Sequence, residues 1–124
     1  MALTHFRDLL VWQRSMALAQ TVYAATRQFP KEEMFGLTSQ LRRSAVSIPS
    51  NIAEGQGRGS DKSFAVFLTQ AQGSLYELET QIELARNLRM MGAEQAAQIL
   101  TEASEIGRMI HGLLRALRKS PPPA

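Results

Sequence analysis

The sequence predicts an all-α fold, an antiparallel four-helix bundle running up-down-up-down. Three observations carry that expectation. Apolar residues recur at helical spacing in four segments. The breaks between the segments are short and built from Gly, Pro and Ser. Strand signals are nearly absent: there is no Asn-Gly or Asp-Gly hairpin turn and no sustained alternation. A chain of 124 residues makes one domain, 1–124, large enough to bury a core without cross-links.

The first helix is expected at about 8–28. Leu9, Trp12, Met16, Ala19, Tyr23 and Thr26 make one stripe, with Asp8 as cap or first-turn acid and Phe29-Pro30 as the stop. The second is expected at about 32–54, with Met34, Leu37, Leu41, Ala45, Ile48 and Ile52 on its stripe. Pro49 falls inside it, where a missing N–H and a crowded Ala45 carbonyl predict a kink. Ser44 and Ser47 are placed to help satisfy the freed carbonyls, and the glycines at 55, 57 and 59 end the helix.

The third helix is expected at about 61–90, with Ser60 as N-cap. Phe64, Leu68, Ala71, Leu75, Leu78, Ile82 and Ala85 alternate steps of four and three, a coiled-coil-like seam over three heptads. Met91-Gly92 makes a turn. The fourth helix is expected at about 93–119, carrying Ala96, Ile99, Ala103, Ile106, Ile110, Leu113 and Leu117, and residues 120–124 form a frayed tail.

Composition excludes several function classes. The chain has no cysteine, hence no disulfide, thiolate nucleophile or Cys metal site. No apolar run approaches the ~20 residues of a membrane span, and MALTHFRDLL lacks the layout of a signal peptide. A soluble, cytoplasmic protein is expected, with no membrane partner. The formal charge of +3 is a mild excess and does not by itself announce a polyanionic ligand.

Enzyme motifs fail in turn. There is no GxxxxGK[ST], GxSxG or HExxH. Gly55-Gln56-Gly57-Arg58-Gly59 has no preceding strand and the wrong glycine spacing for a dinucleotide loop, so it reads as a helix end. His5 and His111 are the only histidines, and neither follows a glutamate by three as a bundle metal site requires. Glu77, Glu79 and Glu83 read as a solvated face or as ion-pair partners for arginine before they read as acid–base catalysts. No enzyme, cofactor or metal is expected.

The segment 40–55 is the most informative. Arg43, Ser47, Ser50 and Glu54 share a polar stripe beside the small residues Ser44, Ala45 and Ala53, which permit close helix approach within the bundle or between chains. One account of it is intramolecular packing with an Arg–Glu surface pair.

Three stretches carry a family resemblance: residues 6–13 (FRDLLVWQ); Phe29-Pro30 through Phe35-Gly36-Leu37 and on to 42–55 (RRSAVSIPSNIAEG); and Ser60, Ser63, Phe64, Phe67, Leu68, Ala71, Gly73, Ser74, Glu77 and Glu79. Together they resemble the four-helix-bundle family of 23S rRNA intervening-sequence proteins, over roughly residues 6 to 118. That family also resembles the accessory variability determinant of diversity-generating retroelements. The resemblance implies a bundle that assembles into a five-membered ring with a positively charged surface. For the accessory relative it implies binding of nucleic acid and of a reverse transcriptase.

The functional expectation is a non-catalytic, ring-forming scaffold that binds nucleic acid, RNA foremost, through Arg and Lys contacts to phosphate. Arg42 and Arg43, about 100° apart on one helix, are the candidate contacts, extended by Arg58 and Lys62. Val46, Ala53, Phe67, Leu84 and Leu88 lie off the helix seams. A bundle needs about one apolar stripe per helix, so these five are the candidate subunit interface. The alternative is a protein–protein adaptor that docks a partner such as a reverse transcriptase and has no direct nucleic-acid role.

Overall fold

The computed structural model describes residues 5–118. Among them are four α-helices and no strand: α1, Leu10–Thr26; α2, Leu37–Gly57; α3, Asp61–Asn87; and α4, Ala93–Arg118. Single 3-10 turns, Phe6–Asp8 and Lys31–Glu33, precede α1 and α2. Each helix packs on two others: α1 and α3 each lie against α2 and α4, and the α2–α3 contact is the most extensive. The result is a four-helix bundle around one core. The expected tail at 120–124 and Lys119 lie outside the described residues.

The core follows the helical periods closely in three helices. Leu68, Ala71, Leu75, Leu78, Ile82 and Ala85 of α3 are buried, as are Leu37, Leu41, Ala45, Ile48 and Ile52 of α2 and Ala96, Ile99, Ala103, Ile106 and Ile110 of α4. Each large side chain removed from water in this way contributes roughly 1.5–3 kcal/mol. At the end of α4 the buried position is Leu114 rather than Leu113, a small drift of the stripe.

In α1 the stripe is rotated from expectation. The buried residues are Val11, Ser15, Leu18, Ala19, Val22, Ala25 and Thr26, while Trp12 and Met16 are half-buried and Tyr23 is exposed. The polar members of this face satisfy themselves locally. Ser15 Oγ donates to Val11 O at 2.7 Å and Thr26 Oγ1 to Val22 O at 2.8 Å, the backward bond open to helical hydroxyls. Two hydroxyls therefore sit in the core at little cost, and the larger stripe of Trp12, Met16 and Tyr23 is left at the surface.

Several helix ends differ from expectation: α1 stops at Thr26, two residues early, and others shift for local reasons. Leu9 is extended and occupies the N-cap of α1, with Asp8 drawn into the preceding turn. The α2 helix begins at Leu37, not near residue 32, because Glu33 folds back: its Oε1 accepts from Leu37 N at 3.1 Å and caps the helix from outside. Gly36 makes room for it, since a Cβ there would lie 2.8 Å from that oxygen. At its far end α2 continues to Gly57, and Gly59 carries the left-handed conformation (φ 82°). Gly55 is thus no cap. A Cβ on it would fall 2.6 Å from Phe67 Cβ, so it is the point where α2 and α3 come closest. Between its ends α2 keeps helical backbone on both sides of the buried Pro49.

Ser60 caps α3 as its sequence predicts, Oγ accepting from Ser63 N at 3.1 Å. The α3 helix stops at Asn87, three residues early. Arg89 adopts φ 60°, Met90 N donates to Ala85 O at 2.9 Å and Arg89 N to Arg86 O at 3.0 Å. This double-bonded exit is a Schellman cap with arginine in the place glycine usually takes.

Candidate nucleic-acid and subunit interface

The small residues of segment 40–55 build a polar seam between α2 and α3. Ser44 Oγ donates to Gln81 Oε1 at 2.8 Å, and Ser47 Oγ is hydrogen-bonded to Ser74 Oγ at 2.8 Å. Asn51 Nδ2 donates to Ser47 O at 2.8 Å and to Ser47 Oγ at 3.0 Å. Ser44 and Ser47 therefore serve the contact with α3. Much of this stripe is intramolecular packing.

The arginines beside it divide. Arg42 is committed to α1: its Nε donates to Thr26 Oγ1 at 2.9 Å, and its guanidinium lies 4.7 Å from the centroid of the Tyr23 ring. Arg43, 100° further round the helix, is exposed at the mouth of a polar cleft with Gln40, Glu77 and Gln81. Arg58 pairs with Glu54 at 2.8 Å and stands 5.1 Å over the Phe67 ring. Lys62 is exposed on the first turn of α3.

The four candidates do not form one patch. Arg43 and Arg58 are fifteen residues apart on one helix, or about 22 Å at 1.5 Å per residue. Three acids are paired locally: Glu54 with Arg58, Glu83 with Arg86 at 2.7 Å, and Glu105 with Arg14 across the α1–α4 contact. Among the described residues, Arg42, Arg43 and Lys62 have no carboxylate partner within 4 Å.

The candidate interface residues divide too. Val46 and Ala53 line an open groove of about 500 Å³ between α1 and α2, with Trp12, Met16, Ala19, Tyr23 and Pro49. The stripe of α1 that reads as core in the sequence is one wall of this groove. Phe67 is half-buried against Gly55 and under Arg58. Leu84 and Leu88 are exposed one turn apart on the outer face of α3.

Sequence reasoning missed three features. Phe35 is almost wholly exposed, 96%, beside the half-exposed Met34. Arg27 lines the α1–α2 groove. A second cleft, about 530 Å³ between α3 and α4, holds Tyr76, Glu79, Arg108, His111 and Arg115, and Gln72 Nε2 lies 3.2 Å from His111 Nδ1. Burial, with Glu83 one turn away, pushes the Glu79 carboxyl above its ordinary range. The recurrence of Arg108, His111 and Arg115 at helical spacing was the available signal. Nothing in the sequence distinguishes Phe35 from a core phenylalanine.

No group of three or more His, Asp or Glu among the described residues is placed to hold a metal ion. No helix among them is long and apolar enough to cross a membrane.

A family model described as 23S rRNA-intervening sequence protein matches residues 7–112. Among solved structures, the chain is similar to a protein of unknown function from the S23 ribosomal protein family of Bacteroides thetaiotaomicron. That likeness has a TM-score of 0.77 and 24% identity, and covers 86% of this chain and 99% of the other. At that identity it speaks to the fold alone. No curated protein matches the sequence.

Proposed function

This chain belongs to the 23S rRNA-intervening sequence protein family, and from that premise we propose that it is a non-catalytic, cytoplasmic, ring-forming scaffold, most simply a pentamer, that binds nucleic acid through arginine and lysine contacts to phosphate. RNA is the first candidate ligand. The observation that carries the reading is the state of the basic side chains. Only Arg14, Arg58 and Arg86, of eleven arginines, pair with a carboxylate among the described residues. Free guanidinium groups on a rigid helical frame are what sequence-independent phosphate binding requires. A ring multiplies a small patch by its number of subunits, which compensates for a net charge of only +3 per chain.

The test is fluorescence anisotropy with a labelled single-stranded RNA over a range of salt. Binding releases counterions, so log affinity falls linearly with log salt, with a slope set by the phosphates neutralised. Exchanging Arg43 and Lys62 for Gln lowers both affinity and slope. Absence of binding even at low salt overturns the nucleic-acid reading and leaves the protein–protein adaptor in its place.

A further inference from the structure

We propose that Phe35 of one subunit seats in the α1–α2 groove of a second copy of the chain, and that this contact joins the copies. The inference rests on the oligomeric reading above and specifies its contact. Phe35 stands on the turn between Lys31–Glu33 and α2, which Glu33 fixes by capping Leu37. It is a large apolar side chain held rigidly out in water, 96% exposed, with Met34 beside it. The groove is its chemical counterpart. Its apolar lining of Trp12, Met16, Ala19, Tyr23, Val46 and Ala53 encloses about 500 Å³, room for an aromatic ring and its neighbours. Tyr23 and Val46 also line the adjoining hollow that contains Phe35 together with Arg42 and Arg43, so knob and groove are two ends of one furrow.

The knob cannot fill the groove of its own chain. Ala53 is sixteen residues along α2 from Leu37, about 24 Å away, several times the reach of a phenylalanine side chain. The occupant must come from outside, and a second copy can set one unpaired acid beside one unpaired base. Glu32 beside the knob is exposed with no cation within 4 Å among the described residues, and Arg27 on the groove wall is exposed with no carboxylate. Because knob and groove are different surfaces of one molecule, the contact repeats head to tail, the arrangement that closes into a ring.

The chain offers two clean probes. Trp12, its single tryptophan, lies in the groove, and it has no cysteine of its own. Phe35→Asp leaves the bundle folded by circular dichroism, since the side chain contributes almost nothing to the core. It raises the subunit dissociation constant at least about 30-fold, as loss of a central aromatic anchor does, and shifts Trp12 emission to the red. Phe35→Cys and Ala53→Cys chains, mixed and treated with a short bis-maleimide, give a covalent heterodimer. If Phe35→Asp keeps the parent's mass in native mass spectrometry and its Trp12 emission, and the mixture yields no heterodimer, the contact is overturned while the oligomeric reading stands. If the parent chain is itself monomeric at micromolar concentration, both fall. An oligomer whose Trp12 is fully open to acrylamide has an empty groove, and that also overturns the contact.

Discussion

Gly55 lies so close to Phe67 that a methyl group on it would sit 2.6 Å from Phe67 Cβ and 3.2 Å from Phe64 Cδ1. The α2 and α3 backbones set that distance, because Cβ cannot rotate away. Gly55→Ala gains roughly 1 kcal/mol of helix propensity but must push the helices apart. The expected net loss is about 2 kcal/mol in urea unfolding. Phe67→Ala does not rescue it, since alanine keeps the offending atom. A stabilised Gly55→Ala would show that the helices are not so close.

Arg89 holds φ 60° without being glycine. Arg89→Gly relieves the left-handed strain and raises stability by about 0.5–1 kcal/mol, the unfolded-state entropy of glycine offsetting part of the gain. Arg89→Ala keeps a Cβ and gains nothing. Paired thermal melts separate the two.

Glu79 carries a pH signature. Burial and then the nearby Glu83 raise its folded pKa above its unfolded value. Its contribution to stability is therefore complete below the ordinary carboxylate range and is lost as pH rises through the folded value. Glu79→Gln removes that loss. The melting temperature of the variant relative to the parent should rise as pH climbs out of the ordinary carboxylate range, and a constant difference would contradict the assignment.

Arg42 and Arg43 are neighbours with opposite duties. Arg42→Gln gives up the Thr26 bond and the Tyr23 ring and costs about 1 kcal/mol of stability. Arg43→Gln stays within about 0.5 kcal/mol of the parent but lowers RNA affinity and its salt slope. Equal effects of the two substitutions on both measurements would contradict this division.

The architecture was legible where one residue set satisfied period and packing together. On α3 every seam position from Leu68 to Ala85 is buried. On α1 two apolar stripes lie one residue apart. Side-chain size favours Trp12 and Tyr23, but packing selects Val11, Leu18, Val22 and Ala25, with Ser15 hidden among them by its backward hydrogen bond. The start of α2 was obscured because the helical period runs back through Met34, while a carboxylate from Glu33 ends it. The site was less legible than the fold. That Arg42 and Arg43 are adjacent is a fact of sequence. That one faces Tyr23 and the other solvent depends on α1. Arg58 follows Arg43 along the chain, yet the helix between carries it some 22 Å away, and Lys62 lies on the next helix.

The α1 helix touches α4 over the smallest of the four helix contacts, and the Arg14–Glu105 pair spans that seam with both side chains open to water. Exposed pairs of this kind contribute at most about 1 kcal/mol. The bundle thus has a hinged side. Its backbone amides become accessible to exchange first along α1 and α4, while those of α2 and α3, which share the most extensive contact, open only with the whole molecule. A subunit that covers α1 would close that door from outside, so assembly and the slowing of α1 exchange should follow the same concentration curve.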